Sequence, residues 1–280
     1  MGRTFLMLTG SAMLWLLAAA PATAGTPFKR QMTCPIGNER FTHTSTASYT
    51  IMGSRPDGKP YGSWEFPLQL PECPGNRLIM YKDFTPDELR RLSGLIARPE
   101  YRALRSEAQY YRLHWLMREL GSEPLDRLWA LAQAAWQVPE GSSQRTRYLE
   151  EFAAGLAALQ KVPTSMPEFA MHGRRINALR ELGRFEESAA LLSGTSLGPL
   201  REGGENGDED AHDRKGLIAY YDMLQQLVAR RDQSAEPLDF LPSDIAIPLC
   251  AERPAALTQW DRQFCEGNAE KVDRVRRNRS

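Results

Sequence analysis

Chemistry in this chain could sit on four cysteines, four histidines and two short strings that imitate known sites. Cys34, Cys73, Cys250 and Cys265 form an even set, which in an exported chain reads as a disulfide framework. Three full pairings are possible, and proximity along the chain favours Cys34 with Cys73 and Cys250 with Cys265. Thiolates also bind metals, but a structural zinc site needs four ligands in a tetrahedron. Cys34 and Cys73 supply two, His43 is a candidate third, and a fourth is not evident. Zinc is therefore not expected as a cofactor. A Cys34–Cys73 bridge is expected instead, closing a loop of ~40 residues at a gain of a few kcal/mol.

The imitative strings fail on context. Gly194-Thr195-Ser196-Leu197-Gly198 spells a nucleophile elbow. An elbow needs a strand before the serine and a helix after it. Here a helical pattern precedes, and Pro199 with a Gly-rich stretch follows, so both glycines read as helix stops. Asn206, Asp208 and Asp210 resemble the opening of a calcium loop, but Ala211 stands where glycine is needed and Leu217 where glutamate is needed. His43, His114, His172 and His212 fall in four separate segments, and no zinc-protease, phosphate-loop or dinucleotide fingerprint is present. The reading leans away from an enzyme. A site assembled from scattered residues is the weaker alternative.

The elements that would position these residues begin with a targeting segment. Arg3 precedes the apolar run Phe5–Ala20, and Ala22-Thr23-Ala24 forms a small-residue cleavage site, so residues 1–24 are expected to be removed after Ala24. The mature protein is then periplasmic or secreted, with no stable membrane insertion, since no later stretch is apolar enough to span a bilayer. Lys+Arg and Asp+Glu balance at 35 each, so the chain lacks the positive field that nucleic-acid binding draws on.

Residues 25–82 read as a small β-rich unit with candidate strands at Phe28–Cys34, Asn38–Thr42, Trp64–Leu70 and Arg77–Tyr81, and turn chemistry at Ser54–Pro60. Residues 83–193 read as helical. Thr85, Pro86 and Glu88 form a capping-box start, with Phe84 and Leu89 placed to staple across it. A long helix is expected over Glu100–Leu120, ended by Gly121, and Ser122 is expected to cap the next one, which carries Leu125, Leu128, Leu131, Ala135 and Trp136. Tyr148, Phe152, Leu156 and Leu159 line one face of a fourth. Phe169–Leu192 reads as a helical hairpin turning at Leu182-Gly183-Arg184-Phe185, with Ser188 giving close approach and Leu120-Gly121 echoing the turn. Residues 194–213 read as an acidic flexible linker. Residues 214–280 hold a helix, a Cys-containing section and a basic tail from Lys271 expected to be frayed.

The turns Cys34-Pro35-Ile36-Gly37 and Cys73-Pro74-Gly75 resemble the knuckles of a zinc ribbon with one cysteine missing from each. Followed by helices carrying Trp115 and Leu120-Gly121, they give residues 31–160 a resemblance to the uncharacterised bacterial family DUF2225. That resemblance implies a bacterial source and a mainly α fold. The fold would combine tetratricopeptide-like helical hairpins with a small N-terminal, β-rich, degenerate zinc-ribbon-like unit. No activity comes with it. The functional expectation is an exported binding or scaffold module. Most of Tyr111, Trp115, Trp129 and Trp136 are expected in the core, and those left exposed on a concave face of stacked repeats would receive another envelope protein or peptide. The alternative is a metal- or redox-responsive protein working through Cys34 and Cys73.

Overall fold

The computed structural model describes residues 25–159, 162–202 and 211–279. The targeting segment with its cleavage point at Ala24, the acidic stretch with Asn206, Asp208 and Asp210, and Ser280 lie outside the described residues. The chain is mainly α, with two small antiparallel two-stranded sheets near its N-terminus. β1 (Pro27–Thr33) pairs with β2 (Arg40–Thr46), and β3 (Ile51–Ser54) pairs with β4 (Pro60–Gly62). The helices are α1 (Pro86–Ala97), α2 (Pro99–Ala103), α3 (Gln109–Leu120), α4 (Pro124–Trp136), α5 (Ser143–Ala158) and α6 (Met166–Glu181). They continue with α7 (Phe185–Gly194), α8 (Gly198–Glu202), α9 (Ala211–Ala229), α10 (Ser243–Glu252), α11 (Gln259–Gly267) and α12 (Ala269–Arg279). From α3 to α7 each helix packs on the next, and α9 lies against both α6 and α7.

The two Cys-Pro turns form a stapled pair. Cys34 and Cys73 are bonded to each other with Cα atoms 5.6 Å apart, and both are fully buried. Asn76 ties one turn to the other, donating from Nδ2 to Ile36 O at 2.7 Å, and Gly75 N donates to the Glu39 carboxylate at 2.9 Å. The expected strand at Arg77–Tyr81 is reduced to a single bridge, Glu72 with Ile79, inside a tight loop where Cys73 N bonds Leu78 O. The expected strand at Trp64–Leu70 does not form, and the backbone of Leu68 and Leu70 bonds α3 instead. Gln109 bonds both the N–H and the C=O of Leu70, and the Tyr110 hydroxyl donates to Leu68 O. Strands β3 and β4, not anticipated, flank the Ser54–Pro60 turn.

Helix ends follow local chemistry with two exceptions. The Thr85–Glu88 capping box forms in both directions. Ser122, expected to start the third helix, finishes the second instead. Its N–H reaches back to Met117 O while Gly121 sits left-handed at φ 80°, so Glu123 and Pro124 begin α4. The long helix expected over Glu100–Leu120 is cut into α2, a 3₁₀ turn at Leu104–Ser106, and α3. The break is held from forty residues away. Arg147 and the Tyr148 hydroxyl donate to the Glu107 carboxylate, and Ala108 N donates to Tyr148 Oη.

The divisions expected at 82 and 193 do not separate cores. One apolar cluster joins Cys34, Cys73, Leu78 and Ile79 to Leu92, Leu116, Leu131, Tyr148 and Phe152. A second joins Phe169 and Ile176 of α6 to Leu200, Tyr221 and Leu224. A third holds Leu238, Leu241, Ile247, Cys250 and Val272 around the Cys250–Cys265 bridge, whose Cα atoms are 5.7 Å apart. The basic tail is therefore not frayed over its described length. Val272 is buried, at roughly 1.5–3 kcal/mol for such a side chain, and this docks α12 on α10.

Candidate functional site

The α6–α7 turn is where sequence grammar and geometry agree most closely. Gly183 adopts φ 74°, and Arg184 N bonds Leu179 O, the same six-residue closure that Gly121 makes at the end of α3. Ser188 is fully buried and its hydroxyl donates to Ile176 O at 2.9 Å, so a larger side chain would push the two helices apart. With α9 lying across both and α8 closing one end, an open groove of about 320 Å³ remains between α7, α8 and α9. Leu192, Leu197 and Val228 line it with apolar surface, beside Tyr221, whose hydroxyl is committed to Phe169 O at 3.0 Å. Ser193, Thr195, Arg201, Asp222 and Gln225 supply polar groups around them. Apolar lining with a few polar groups to fix orientation is the usual make-up of a small-molecule or peptide site.

A second candidate is a buried ionic cluster beneath a polar cleft of about 290 Å³ lined in part by Glu140, Arg145, Glu181 and Gln233. The β3–β4 turn drives Asp57 into the helices. Its carboxylate accepts from Arg55 Nη2 at 2.7 Å, Arg145 Nη2 at 3.1 Å and Lys59 N at 3.0 Å. Arg145 also reaches Glu181 at 2.7 Å and Ala135 O, and Arg55 faces Glu140 at 3.5 Å and Glu236 at 3.6 Å. Burial alone would raise the Asp57 carboxyl, but the Arg55 and Arg145 guanidiniums and the Lys59 N–H outweigh it and hold it below the ordinary carboxylate range. Arg180, fully buried, donates to Asn177 Oδ1 and Asp232 O and ties this layer to the segment after α9. Arg55, Asp57, Arg145 and Glu181 pair with one another and act as a keystone joining turn and helices, while Glu140, 46% exposed, faces the cleft.

The residues singled out from sequence do not converge. Trp115 and Trp136 are core, Trp115 against Tyr101 and Trp136 edge-on to Trp129 at 5.3 Å. Trp129 is half-buried beneath the Arg174 guanidinium, 4.8 Å from its ring centroid. Tyr111 stacks on Tyr148 at 4.5 Å and donates to Glu151. These aromatics hold α3, α4 and α5 together, and an exposed aromatic face is not what they build. His43 lies on β2 opposite Arg30, and among the described residues no group of three or more His, Cys, Asp and Glu is placed to hold a metal ion.

His114 Nδ1 lies 2.7 Å from Arg127 O, a carbonyl that can only accept, so Nδ1 carries the proton and donates. His172 Nε2 stands 3.0 Å from Thr195 Oγ1, whose own proton is given to Leu191 O, so the imidazole donates and the threonine is not an activated nucleophile. Ser196 Oγ accepts from Gly198 N in a local turn.

The fold and these surfaces define a mainly α, doubly disulfide-bonded protein with a helical groove. Compared with family models, curated proteins and solved structures, the chain matches none. The ionic cluster is not legible in the sequence, since Arg55-Pro56-Asp57-Gly58 signals only a turn and Arg145, which pairs with Asp57, lies 88 residues away.

Proposed function

We propose that the protein is an exported scaffold that binds a peptide segment of another envelope protein in the groove between α7, α8 and α9. The groove itself carries the reading. It is open, about 320 Å³, apolar along Leu192, Leu197 and Val228, and edged by groups that can bond a peptide backbone. Export is supported by the targeting pattern ending at Ala24 and by two disulfides, which persist in oxidising compartments. No helix among the described residues is long and apolar enough to cross a membrane. The bridged Cys-Pro turns and the successive helical hairpins support kinship with DUF2225 as the family.

The test uses exposed groove positions. A library of random peptides is panned on the mature protein, and enriched sequences are titrated by fluorescence polarisation. Ala189→Arg and Ala229→Arg each place a long side chain over the groove from an exposed position. The expected result is binding at least about tenfold weaker in both variants, a loss of roughly 1.4 kcal/mol, with unchanged melting. Failure to enrich any peptide, or equal binding by wild type and variants, overturns the proposal.

A further inference from the structure

The β1–β2 ribbon has two open edges, and the hydrogen-bond register says which groups are free on each. Cys34 N bonds Glu39 O, and Ala47 N bonds Thr26 O, so these two residue pairs are hydrogen-bonded across the ribbon. In an antiparallel ladder hydrogen-bonded and non-bonded pairs alternate. The intervening pairs Phe28 with Ser45, Arg30 with His43 and Met32 with Phe41 therefore close inward. On β2 the backbone N–H and C=O groups of Arg40, Thr42, Thr44 and Thr46 point away from β1. Among the described residues no backbone group on this edge takes a partner, and no third strand joins the sheet. Thr42 and Thr44 are exposed.

Such an edge invites an added strand unless something blocks it, and natural blocks are proline, inward-facing charge, a bulge or a cover. The outer edge of β1 is interrupted by Pro27. The outer edge of β2 is Arg40-Phe41-Thr42-His43-Thr44-Ser45-Thr46, with no proline and no bulge, and threonine is a strong strand former. It presents about 23 Å of continuous edge at the usual rise per residue.

The charge around the edge selects the partner. From Gly25 to Ser54 the chain has Lys29, Arg30 and Arg40 and a single acid, Glu39, which is already engaged with Gly75 N. Among the described residues the three cations take no ion-pair or hydrogen-bond partner, although the whole chain is neutral. We propose that the outer edge of β2 receives an extended acidic segment of another protein, which adds to the ribbon as a third strand. The edge supplies main-chain bonds and register, and Arg40, Arg30 and Lys29 favour Glu or Asp in the incoming strand. Three cations on a neutral chain make a weak anion attractor by themselves. The row of unpaired backbone groups is what favours a polypeptide over a lipid or polyphosphate surface.

The probe is an acetylated octapeptide alternating valine and glutamate, compared with the same peptide carrying lysine in place of glutamate, on the full mature protein. Amide exchange by NMR is the primary readout. Expected is slowed exchange at the Thr42, Thr44 and Thr46 amides with the acidic peptide, and binding at least about tenfold weaker for the lysine peptide. Thr44→Pro removes an outward N–H that the ribbon does not use, so it abolishes the protection while the melting temperature holds. Arg40→Glu weakens the acidic peptide and rescues the lysine one. Equal binding of the two peptides overturns the proposal, as does unchanged binding by Thr44→Pro. Protection of these amides before any peptide is added, together with a dimer in sedimentation, assigns the edge to a second copy instead. Protection by anionic phospholipid vesicles but not by the peptide assigns it to a membrane. This surface is separate from the helical groove, so Ala229→Arg leaves octapeptide binding unchanged whichever way the groove test falls.

Discussion

Replacing Asp57 by asparagine is the sharpest test of the ionic keystone. The substitution keeps the side-chain shape and removes one charge. Two buried guanidiniums depend on that charge, Arg55 at 2.7 Å and Arg145 at 3.1 Å. Breaking a buried pair by removing one partner costs roughly 3–5 kcal/mol, because the other charge is left uncompensated. Arg145 keeps Glu181 at 2.7 Å, whereas Arg55 falls back on Glu140 and Glu236 at 3.5 and 3.6 Å. The loss should therefore fall at the lower end, about 3 kcal/mol, which for a chain of this size lowers Tm by roughly 6–12 °C. Urea unfolding at pH 7 gives the free energy, and a double-mutant cycle with Arg145→Met should show coupling above about 1 kcal/mol.

The pH course adds a check on sign. Asp57 is held below its ordinary value, so its contribution is present above the unfolded carboxyl pKa of about 3.9 and is lost as pH falls through the lower folded value. The gap between wild type and Asp57→Asn should stay constant from pH 8 to about 4 and close below that. A loss under about 1 kcal/mol at pH 7 would mean that water screens the pair as it does on a surface, and the keystone reading fails.

Three further outcomes follow from other parts of the molecule. Burial lowers the pKa of His114 and of His172, so stability from both is present above about pH 6.5 and is lost below it, by up to ~1.4 kcal/mol per pH unit for each. His114→Gln should flatten a stability profile measured by urea unfolding between pH 7.5 and 5, and a wild-type profile already flat there contradicts the assignment. Removing the Cys34–Cys73 bridge should cost about 4 kcal/mol and the Cys250–Cys265 bridge about 3 kcal/mol, from loops spanning 39 and 15 residues. Thiol alkylation without reductant should leave all four cysteines unlabelled, and labelling of Cys34 or Cys73 in the native protein argues against the staple. Gly183→Ala forces a side chain into a left-handed turn against Gln233, and its unfolding midpoint should show about 1–2 kcal/mol of destabilisation. Gly94→Ala, where nothing lies nearby, is the matched control.

The sequence by itself determined the local grammar. The capping box at Thr85, the glycine stops at Gly121 and Gly183 and the small residue at Ser188 are set by residues within a turn or a short hairpin of one another. The mainly α class with a small N-terminal β unit follows from the same signals, because helix periodicity and turn residues act over a few positions.

Tertiary structure decided what depended on distant partners. Glu107 breaks a helix that periodicity would continue, because Arg147 and Tyr148 draw its carboxylate across the molecule. Leu68 and Leu70 do not form a strand, and α3 side chains bond their backbone groups instead. Val272 orders a tail that its charge would leave in solvent. Trp115 and Trp136 are core while Tyr111 and Trp129 are half-buried against Tyr148 and Arg174, a division that only the fold decides. The ionic keystone and the α7–α9 groove are both built from segments far apart in the chain. Charge compensation and concavity are properties of three-dimensional neighbours, and no spacing along a single strand of sequence encodes them.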